Sequence, residues 1–127
     1  MTTHKLPAYG AGKESEPPTP VANEVRLVGR ISKAPERRDL PSGDEVWMFR
    51  VVVPRTPKTR SRPCVDALEC AAWTARARRS VRTWAADDVV EVTGSLRRRF
   101  FRAGGSAASR VEVEMSAGRL IRRARTG

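Results

Sequence analysis

The order of strand-like and helical segments is the feature that most constrains the fold of this 127-residue chain. Alternating apolar residues and β-branched runs predict five strands, with Gly29 marking a bulge or a sharp bend in the first. A helix is predicted between the third and fourth strands, where Thr74 can cap a segment that runs to about Ala86. The predicted strands cover residues 25–31, 45–53, 65–73, 89–101 and 109–115, with 121 as an alternative end of the last.

This β-β-β-α-β-β order is typical of the OB-fold, an all-β, five-stranded Greek-key barrel whose open face and loops bind oligonucleotides. The segments between the strands carry turn residues, at 35–43, in the Pro-rich loop 54–63 and at Gly104-Gly105. Trp84 lies on the apolar stripe of the predicted helix, which favours a place in the core. We expect a disordered tail at 1–22, the folded domain at 23–121 and a short basic tail at 122–127.

The charge balance indicates the class of partner. The chain has 25 lysines and arginines against 14 aspartates and glutamates, a net charge of +11. So basic a chain predicts a polyanionic partner, most often nucleic acid. A GC-rich coding sequence would also enrich Arg and Ala, but it would not by itself set the sign of the net charge.

The sequence argues against an enzyme and against a metal or other cofactor. The single histidine, His4, lies in the predicted tail, and Cys64 and Cys70 have no C-x-x-C spacing, so no zinc ligand set is expected. The two cysteines are expected to be reduced, core-type residues. No GxxxxGKS/T loop for phosphates is present. No apolar run reaches the roughly 18 to 20 residues of a membrane span, and no secretion signal follows Met1, so a cytoplasmic location is expected.

Six short motifs resemble, in order, those of the bacterial-type single-stranded DNA-binding protein (SSB) family. Each motif is weak alone, but their shared register over 23–121 makes the resemblance strong. The motifs are NEVRLVGR at 23–30, similar to N-x-V-x-L-V-G-R/N; PERR at 35–38 and PSG at 41–43, similar to two family turns; CAAW at 70–73, similar to a strand ending in Trp or Phe; VTGSLRRR at 92–99, similar to V/I-x-G-x-L-R-x-R; and VEVE at 111–114, similar to the last strand.

The resemblance implies a protein that coats single-stranded DNA without sequence specificity during replication, recombination or repair. It implies a homotetramer, with a dimer as the alternative. Two departures matter. The chain ends in a basic segment where the family has an acidic tip, which puts tail-mediated recruitment in doubt. Ala67 stands where the family has an aromatic residue, which indicates a divergent paralogue that could assemble with a full-length SSB.

Four aromatic residues are candidates for base stacking, which needs flat π surfaces beside a positive track. The resemblance implies stacking for Trp73 and for Phe101, with core packing as the alternative. Phe100 points the other way on an ideal strand, so a core position is favoured. Trp47 shares a face with apolar residues, and a core or subunit contact is favoured over stacking.

The candidate phosphate ligands are basic residues on the predicted strands and loops. Arg97 and Arg99 match the family's R-x-R, and the basic loop matches a family loop that could clamp the backbone. A solvated face is the alternative for all of them and is favoured for the helix arginines. For Arg38 the alternative to a phosphate contact is a structural role, in an ion pair with Glu36 or Asp39. The candidates are Arg97 and Arg99, the loop residues Arg55, Lys58, Arg60 and Arg62, and Arg30 and Lys33.

Two other functions remain open from the sequence. The same face of an OB-fold can hold RNA, so an RNA-binding or ribosome-associated module is one alternative. The other is a protein-interaction module whose role is to assemble with a full-length SSB.

Overall fold

The computed structural model describes residues 17–55 and 64–125, which form a closed barrel of five strands with one added edge strand. The barrel closes because β1 (Val25–Ile31) pairs with both β5 (Val89–Ala103) and β3 (Glu45–Pro54). All strand pairings are antiparallel except that of β4 (Val65–Ala72) with β6 (Ser106–Arg122). The predicted all-β OB-fold is confirmed. The elements are β1 Val25–Ile31, β2 Glu36–Asp39, β3 Glu45–Pro54, β4 Val65–Ala72, α1 Ala75–Val81, β5 Val89–Ala103 and β6 Ser106–Arg122.

The core fills the barrel with the inward-facing half of each strand. Ile31, Val51 and Val92 are fully buried there, as period-two alternation requires when one sheet face is covered. Trp84 is 6% exposed, and its ring meets Phe49 edge-on with the ring centroids 5.6 Å apart. The core position predicted for Trp84 is therefore confirmed.

β2 is a strand where the sequence predicted only turn residues. Its four residues, ERRD, are all exposed, and they pair with β3 from Glu36↔Met48 to Asp39↔Glu45. A short, charged edge strand covers no core on either face, so it lacks the apolar alternation that marks a strand. The prediction of a continuous turn over 35–43 was wrong for this reason.

The helix α1 begins as predicted but ends five residues early. The Thr74 side chain accepts the Ala77 N–H at 3.1 Å, which confirms the predicted cap. After Val81 the chain forms a 3-10-type turn, in which the Trp84 N–H donates to the Val81 carbonyl three residues earlier. The Asp88 carboxylate then accepts the Ala85 N–H at 2.9 Å, which turns the chain toward β5 instead of continuing the helix.

β5 and β6 form a hairpin longer than the sequence predicted. They pair from Val89↔Arg122 to Ala103↔Ser106, and the loop predicted at 102–108 is only the turn Gly104-Gly105. Both glycines have positive φ, 59° and 86°, as the tight turns that suit twisted hairpins require. β1 pairs with β5 only as far as Gly94. Residues 97–112 therefore extend beyond the barrel, and we call them the hairpin arm.

Two glycines mark close backbone approaches. A Cβ at Gly94 would lie 2.0 Å from the Glu114 carbonyl oxygen, and the β5–β6 register shifts between Thr93 and Gly94. Gly94 therefore lies at a β-bulge. At Gly29, where the sequence predicted a bulge or a sharp bend, the β1–β5 register continues without a shift, so the bulge is absent. A Cβ at Gly29 would instead lie 2.4 Å from the Val52 carbonyl oxygen, where β1 approaches β3.

Phe100 lies on the hairpin arm and is 77% exposed, so the core position predicted for it was wrong. Strand alternation did predict the direction of the side chain, since Phe100 points away from Phe101. However, the arm projects past the barrel, and its second face has no core to cover.

Asp88 joins the end of β6 to the turn before β5. Its carboxylate is 1% exposed and accepts the Ala124 N–H at 2.8 Å and an Arg123 guanidinium N–H at 3.0 Å, besides the Ala85 N–H. Burial alone would raise the pKa of Asp88, but the hydrogen bonds from Ala124, Ala85 and Arg123 outweigh it and lower that pKa below its usual value.

We expect Asp88→Asn to lower the free energy of unfolding by about 1 to 3 kcal/mol at neutral pH, because it removes the charge and one of the two carboxylate oxygens that accept the three hydrogen bonds. Since the pKa of Asp88 is lower in the folded than in the unfolded chain, its stabilisation is present above the ordinary carboxyl pKa. It is lost as the pH falls through the lower folded value, so the variant should lose less stability than the wild type on acidification to about pH 3.

Urea unfolding at several pH values measures both effects. The matched control is Asp87→Asn, because the Asp87 side chain is 63% exposed and forms an ion pair with the exposed Arg30. Equal unfolding free energies for the two variants at neutral pH would contradict the anchoring role of Asp88.

Candidate nucleic-acid interface

One face of the hairpin arm combines arginines, an aromatic ring and carboxylates. Alternate residues of β5 point to the same side, and the register places them opposite alternate residues of β6 in the pairs Arg97↔Glu112 and Arg99↔Arg110. We call this surface, with the tryptophan that follows β4, the arginine face. It consists of Trp73, Arg97, Arg99, Phe101, Arg110, Glu112 and Glu114.

Trp73 lies against the arm directly after the end of β4. The Arg99 guanidinium carbon is 5.1 Å from the centre of the Trp73 ring, which is within the range of a cation–π contact. The indole N–H is buried and has no hydrogen-bond partner among the described residues. The Trp73 carbonyl accepts a hydrogen bond from Arg78, which holds the backbone of this position against α1.

Phe101 forms a second arginine–aromatic pair on the same face. It is 42% exposed, and the Arg110 guanidinium carbon lies 5.6 Å from the centre of its ring. The two residues predicted to stack bases are therefore brought to one surface, and each ring is accompanied by an arginine.

Two carboxylates hold the arginines of this face in place. Glu112 is 2% exposed and accepts hydrogen bonds from Arg99 Nε at 3.0 Å and Arg110 Nε at 3.4 Å. Glu114 accepts from Arg97 Nε at 3.0 Å and from Arg99 Nη2 at 3.1 Å. Three guanidinium groups and two carboxylates leave this cluster with one net positive charge.

Arg110, Glu112 and Glu114 were not among the site residues predicted from the sequence. The alternation of acids with Val111, Val113 and Met115 indicated that both glutamates point away from the core. It did not identify their partners, because those depend on the pairing of two strands whose register the distant hairpin turn sets.

A groove of about 340 Å³ lies on the outer side of β2, β3 and β4 and shares Arg110 with the arginine face. Lys33 Nζ lies 3.6 Å from a Glu36 carboxylate oxygen, and Arg50 donates to Glu69 at 2.6 Å. The groove is lined by Lys33, Ala34, Glu36, Arg38, Met48, Phe49, Arg50, Glu69 and Arg110.

Arg38 contributes an uncompensated charge to this groove. Within the described ranges it has no carboxylate partner, so the expected pairing with Glu36 or Asp39 was wrong. Arg37, its neighbour on the other side of β2, holds Asp39 instead, at 3.1 Å.

Several other candidate phosphate ligands lie apart from the arginine face. Arg55, just after β3, donates to Asp66 at 3.0 Å, and this hydrogen bond and charge raise the pKa of Arg55. Arg30 pairs with Asp87 at 3.2 Å, where β1 meets the turn before β5. The other predicted loop ligands, Lys58, Arg60 and Arg62, lie outside the described residues.

Trp47 and Ala67 do not extend the arginine face. Trp47 packs against the core cluster, and its indole N–H donates to a Glu45 carboxylate oxygen at 2.8 Å. Ala67, where the SSB resemblance led us to expect an aromatic ring, is exposed on β4 opposite Val52. No large side chain is therefore present at that point of β4.

The described residues offer little for other chemistry. Cys70 is buried, and burial, with smaller contributions from Glu69 and Glu112, raises the pKa of its thiol to about 12. Cys64, in contrast, is exposed, so the expected core position holds only for Cys70. Residues 17–55 and 64–125 contain no group of three His, Cys, Asp or Glu that could hold a metal ion. The helix α1 has seven residues and is too short to cross a membrane, and no other helix occurs in those ranges.

Comparisons with known proteins are consistent with this geometry. The family model of the single-strand binding protein family matches residues 22–121. The chain belongs to this family. Among solved structures, it is similar to one described as the Plasmodium falciparum SSB complex with ssDNA, with a TM-score of 0.65 and 19% sequence identity over 83% of this chain and 97% of that one. At this identity the likeness shows the shared fold. A comparison with curated protein sequences finds no match.

We expect Glu112→Gln to lower the free energy of unfolding by about 1 to 3 kcal/mol, because it weakens a buried acceptor shared by Arg99 and Arg110. In a double-mutant cycle with Arg99→Gln, the two changes should couple by at least about 0.5 kcal/mol. Glu24→Gln, on an exposed residue before β1, is the control and should change stability little. Additive effects of Glu112→Gln and Arg99→Gln in urea unfolding would contradict the pairing.

Proposed function

We propose that this chain binds single-stranded DNA without reading its base sequence, by stacking bases at Trp73 and Phe101 and by contacting phosphates with arginines. The observation that carries the proposal is the pair of arginine–aromatic contacts, Arg99 on Trp73 and Arg110 on Phe101, side by side on one face. A single strand offers both unpaired base planes and phosphates, whereas a duplex hides its base planes. Membership of the single-strand binding protein family supports the same ligand.

The carboxylates of the arginine face suggest how the ligand is taken up. Glu112 and Glu114 occupy guanidinium groups that would otherwise contact phosphate. A phosphate of the strand can replace the half-exposed Glu114 on Arg97, while the buried Glu112 keeps Arg99 and Arg110 oriented. A base then stacks on a guanidinium or ring that is already in position, which reduces the entropy lost on binding.

The groove on β2, β3 and β4 provides a path for the strand beyond the arm. Arg110 belongs to both surfaces, and Arg38 adds a charge that no described carboxylate compensates. In this proposal Lys33 and Arg50 exchange their carboxylates for phosphates along the groove. The residues of the basic loop clamp the DNA backbone; they are Arg55, Lys58, Arg60 and Arg62. Arg30 and Trp47 are secondary contacts.

We propose a non-enzymatic protein that protects single-stranded DNA during replication, recombination or repair in the cytoplasm, in association with the nucleoid. A homotetramer is the assembly we favour, with a dimer or a complex with a full-length SSB paralogue as alternatives.

Tryptophan fluorescence tests the proposal directly. Titration with oligo-dT should quench the emission, whereas a duplex of equal length should have little effect. Raising the salt should weaken binding, with log K falling by about 0.7 per log unit of salt for each phosphate contacted. Trp73→Phe should remove most of the quenching, whereas Trp84→Phe, at a core residue that is 6% exposed, should retain it. An equal response to duplex and single strand would contradict the proposal and indicate general adhesion of a basic protein.

We further expect Glu114→Gln to strengthen binding of oligo-dT by up to about 5-fold, because it releases Arg97 and Arg99 from a half-exposed ion pair. The slope of log K against log salt concentration should become steeper by up to about 0.7, which corresponds to one additional phosphate contact. Fluorescence anisotropy at several salt concentrations measures both quantities.

The matched control is Glu91→Gln. Glu91 also bridges two arginines, Arg26 and Arg119, which lower its pKa, and its loss adds the same charge to the chain. Glu91 lies on the barrel, where β5 pairs with β1 and with the end of β6. If both variants gained affinity equally, the effect would be one of net charge, and the local exchange at Glu114 would be refuted.

A further inference from the structure

The second face of the hairpin arm carries its own set of exposed residues. Alternate β5 residues point away from the arginine face, and we call the surface they form the reverse face: Arg98, Phe100 and Arg102. Phe100 is 77% exposed, far more than Phe101 at 42%. Leu96 and Val111, on the same side of the hairpin, are also partly exposed, at 47% and 46%. An exposed phenyl ring beside them indicates a contact with a partner.

The two faces of the arm differ in how their charges are compensated. On the arginine face, Arg97, Arg99 and Arg110 each have a carboxylate partner. On the reverse face, Arg98 donates to the Ser109 hydroxyl at 3.1 Å and Arg102 to the Gly105 carbonyl at 3.4 Å. Neither has a carboxylate partner in the described part of the chain, so both guanidinium groups keep their full charge and most of their N–H donors.

The composition of the reverse face favours nucleic acid over a second copy of the chain. In a symmetric contact between two reverse faces, unpaired arginines would meet each other, and like charges at short range repel. A single strand supplies what the face lacks, a flat apolar surface for Phe100 and anions for its neighbours. Arg98 and Arg102 are four residues apart, about 13 Å along the strand, which leaves room between them for bases spaced at about 3.4 Å.

We propose that the reverse face is a second contact for single-stranded DNA, in which Phe100 stacks a base and Arg98 and Arg102 bind the adjoining phosphates. The inference rests on the proposed function but goes beyond it. The family resemblance implies DNA contacts for Arg97, Arg99 and Phe101, all on the arginine face, and implies none for Arg98, Phe100 or Arg102. A strand of sufficient length then contacts the arm from both sides.

Binding of labelled oligo-dT of two lengths tests the proposal. A strand of about 16 nucleotides can span both faces, whereas one of about 4 can occupy only one of them. Phe100→Ala should weaken binding of the longer strand by about 5- to 150-fold, which is the range of one lost stack, and should change binding of the shorter strand much less. Arg98→Gln combined with Arg102→Gln should reduce the slope of log K against log salt concentration by about 1.4 for the longer strand, because two phosphate contacts are lost.

Arg76→Gln with Arg79→Gln is the matched control. It also removes two positive charges from exposed arginines, here on α1, and these have no carboxylate partner among the described residues. It should leave the salt dependence close to that of the wild type. Thermal unfolding checks that every variant folds, which the exposure of Phe100, Arg98 and Arg102 leads us to expect.

The outcomes separate this inference from the proposed function. If the wild type fails to bind oligo-dT, both are overturned. If Phe101→Ala weakens binding and Phe100→Ala does not, the proposed function stands and the second contact is overturned. It is also overturned if Phe100→Ala leaves DNA affinity unchanged but alters the oligomeric state in light scattering, since the face would then be a protein contact.

Discussion

The antiparallel pairing of β5 with β6 is the interaction on which the rest of the structure depends. Its first half closes the barrel wall, and its second half leaves the barrel as the hairpin arm. The Gly104-Gly105 turn sets the register of the whole pair. A slip of one residue would move Arg97, Arg99 and Phe101 to the opposite face and separate Arg99 from Glu112. Barrel closure and the candidate interface are therefore two consequences of one strand register.

Many of the arginines in this protein are held in defined positions by carboxylates. The net charge of +11 indicates a polyanionic partner, but many arginines on the barrel and on the arginine face are paired with carboxylates. Such pairs lower the attraction for DNA and fix the direction of each guanidinium, which favours an ordered interface over general adhesion. Arg38, Arg98 and Arg102 are among the arginines that no described carboxylate compensates, as are Arg76 and Arg79 on α1. What distinguishes the first three is their place beside the groove or beside an exposed aromatic ring, where a strand could also be contacted by neighbouring groups.

Much of the fold could be predicted because its signals are local. Alternation located the main strands, the Thr74 hydroxyl marked the start of the helix, and Trp84 on the apolar stripe marked the core. The errors have physical causes that are not local. β2 lacks alternation because an edge strand covers no core, and α1 ends early because Asp88, beyond the helix, takes the Ala85 N–H. For the site, the family resemblance predicted Trp73 and Phe101. Glu112, Glu114 and Arg110 could be identified only from the pairing of β5 with β6.

The sequence by itself determined which side chains share a face, because a strand alternates with a period of two wherever it lies. It placed Phe100 and Phe101 on opposite faces, and Arg97 with Arg99 on one. Only the tertiary structure decided what each face meets. The barrel ends before the arm does, so Phe100 is exposed although its counterparts earlier in β5, such as Val90 and Val92, are buried. Ion pairing was decided in the same way, since Arg99 and Glu112 are thirteen residues apart and meet only through the hairpin register.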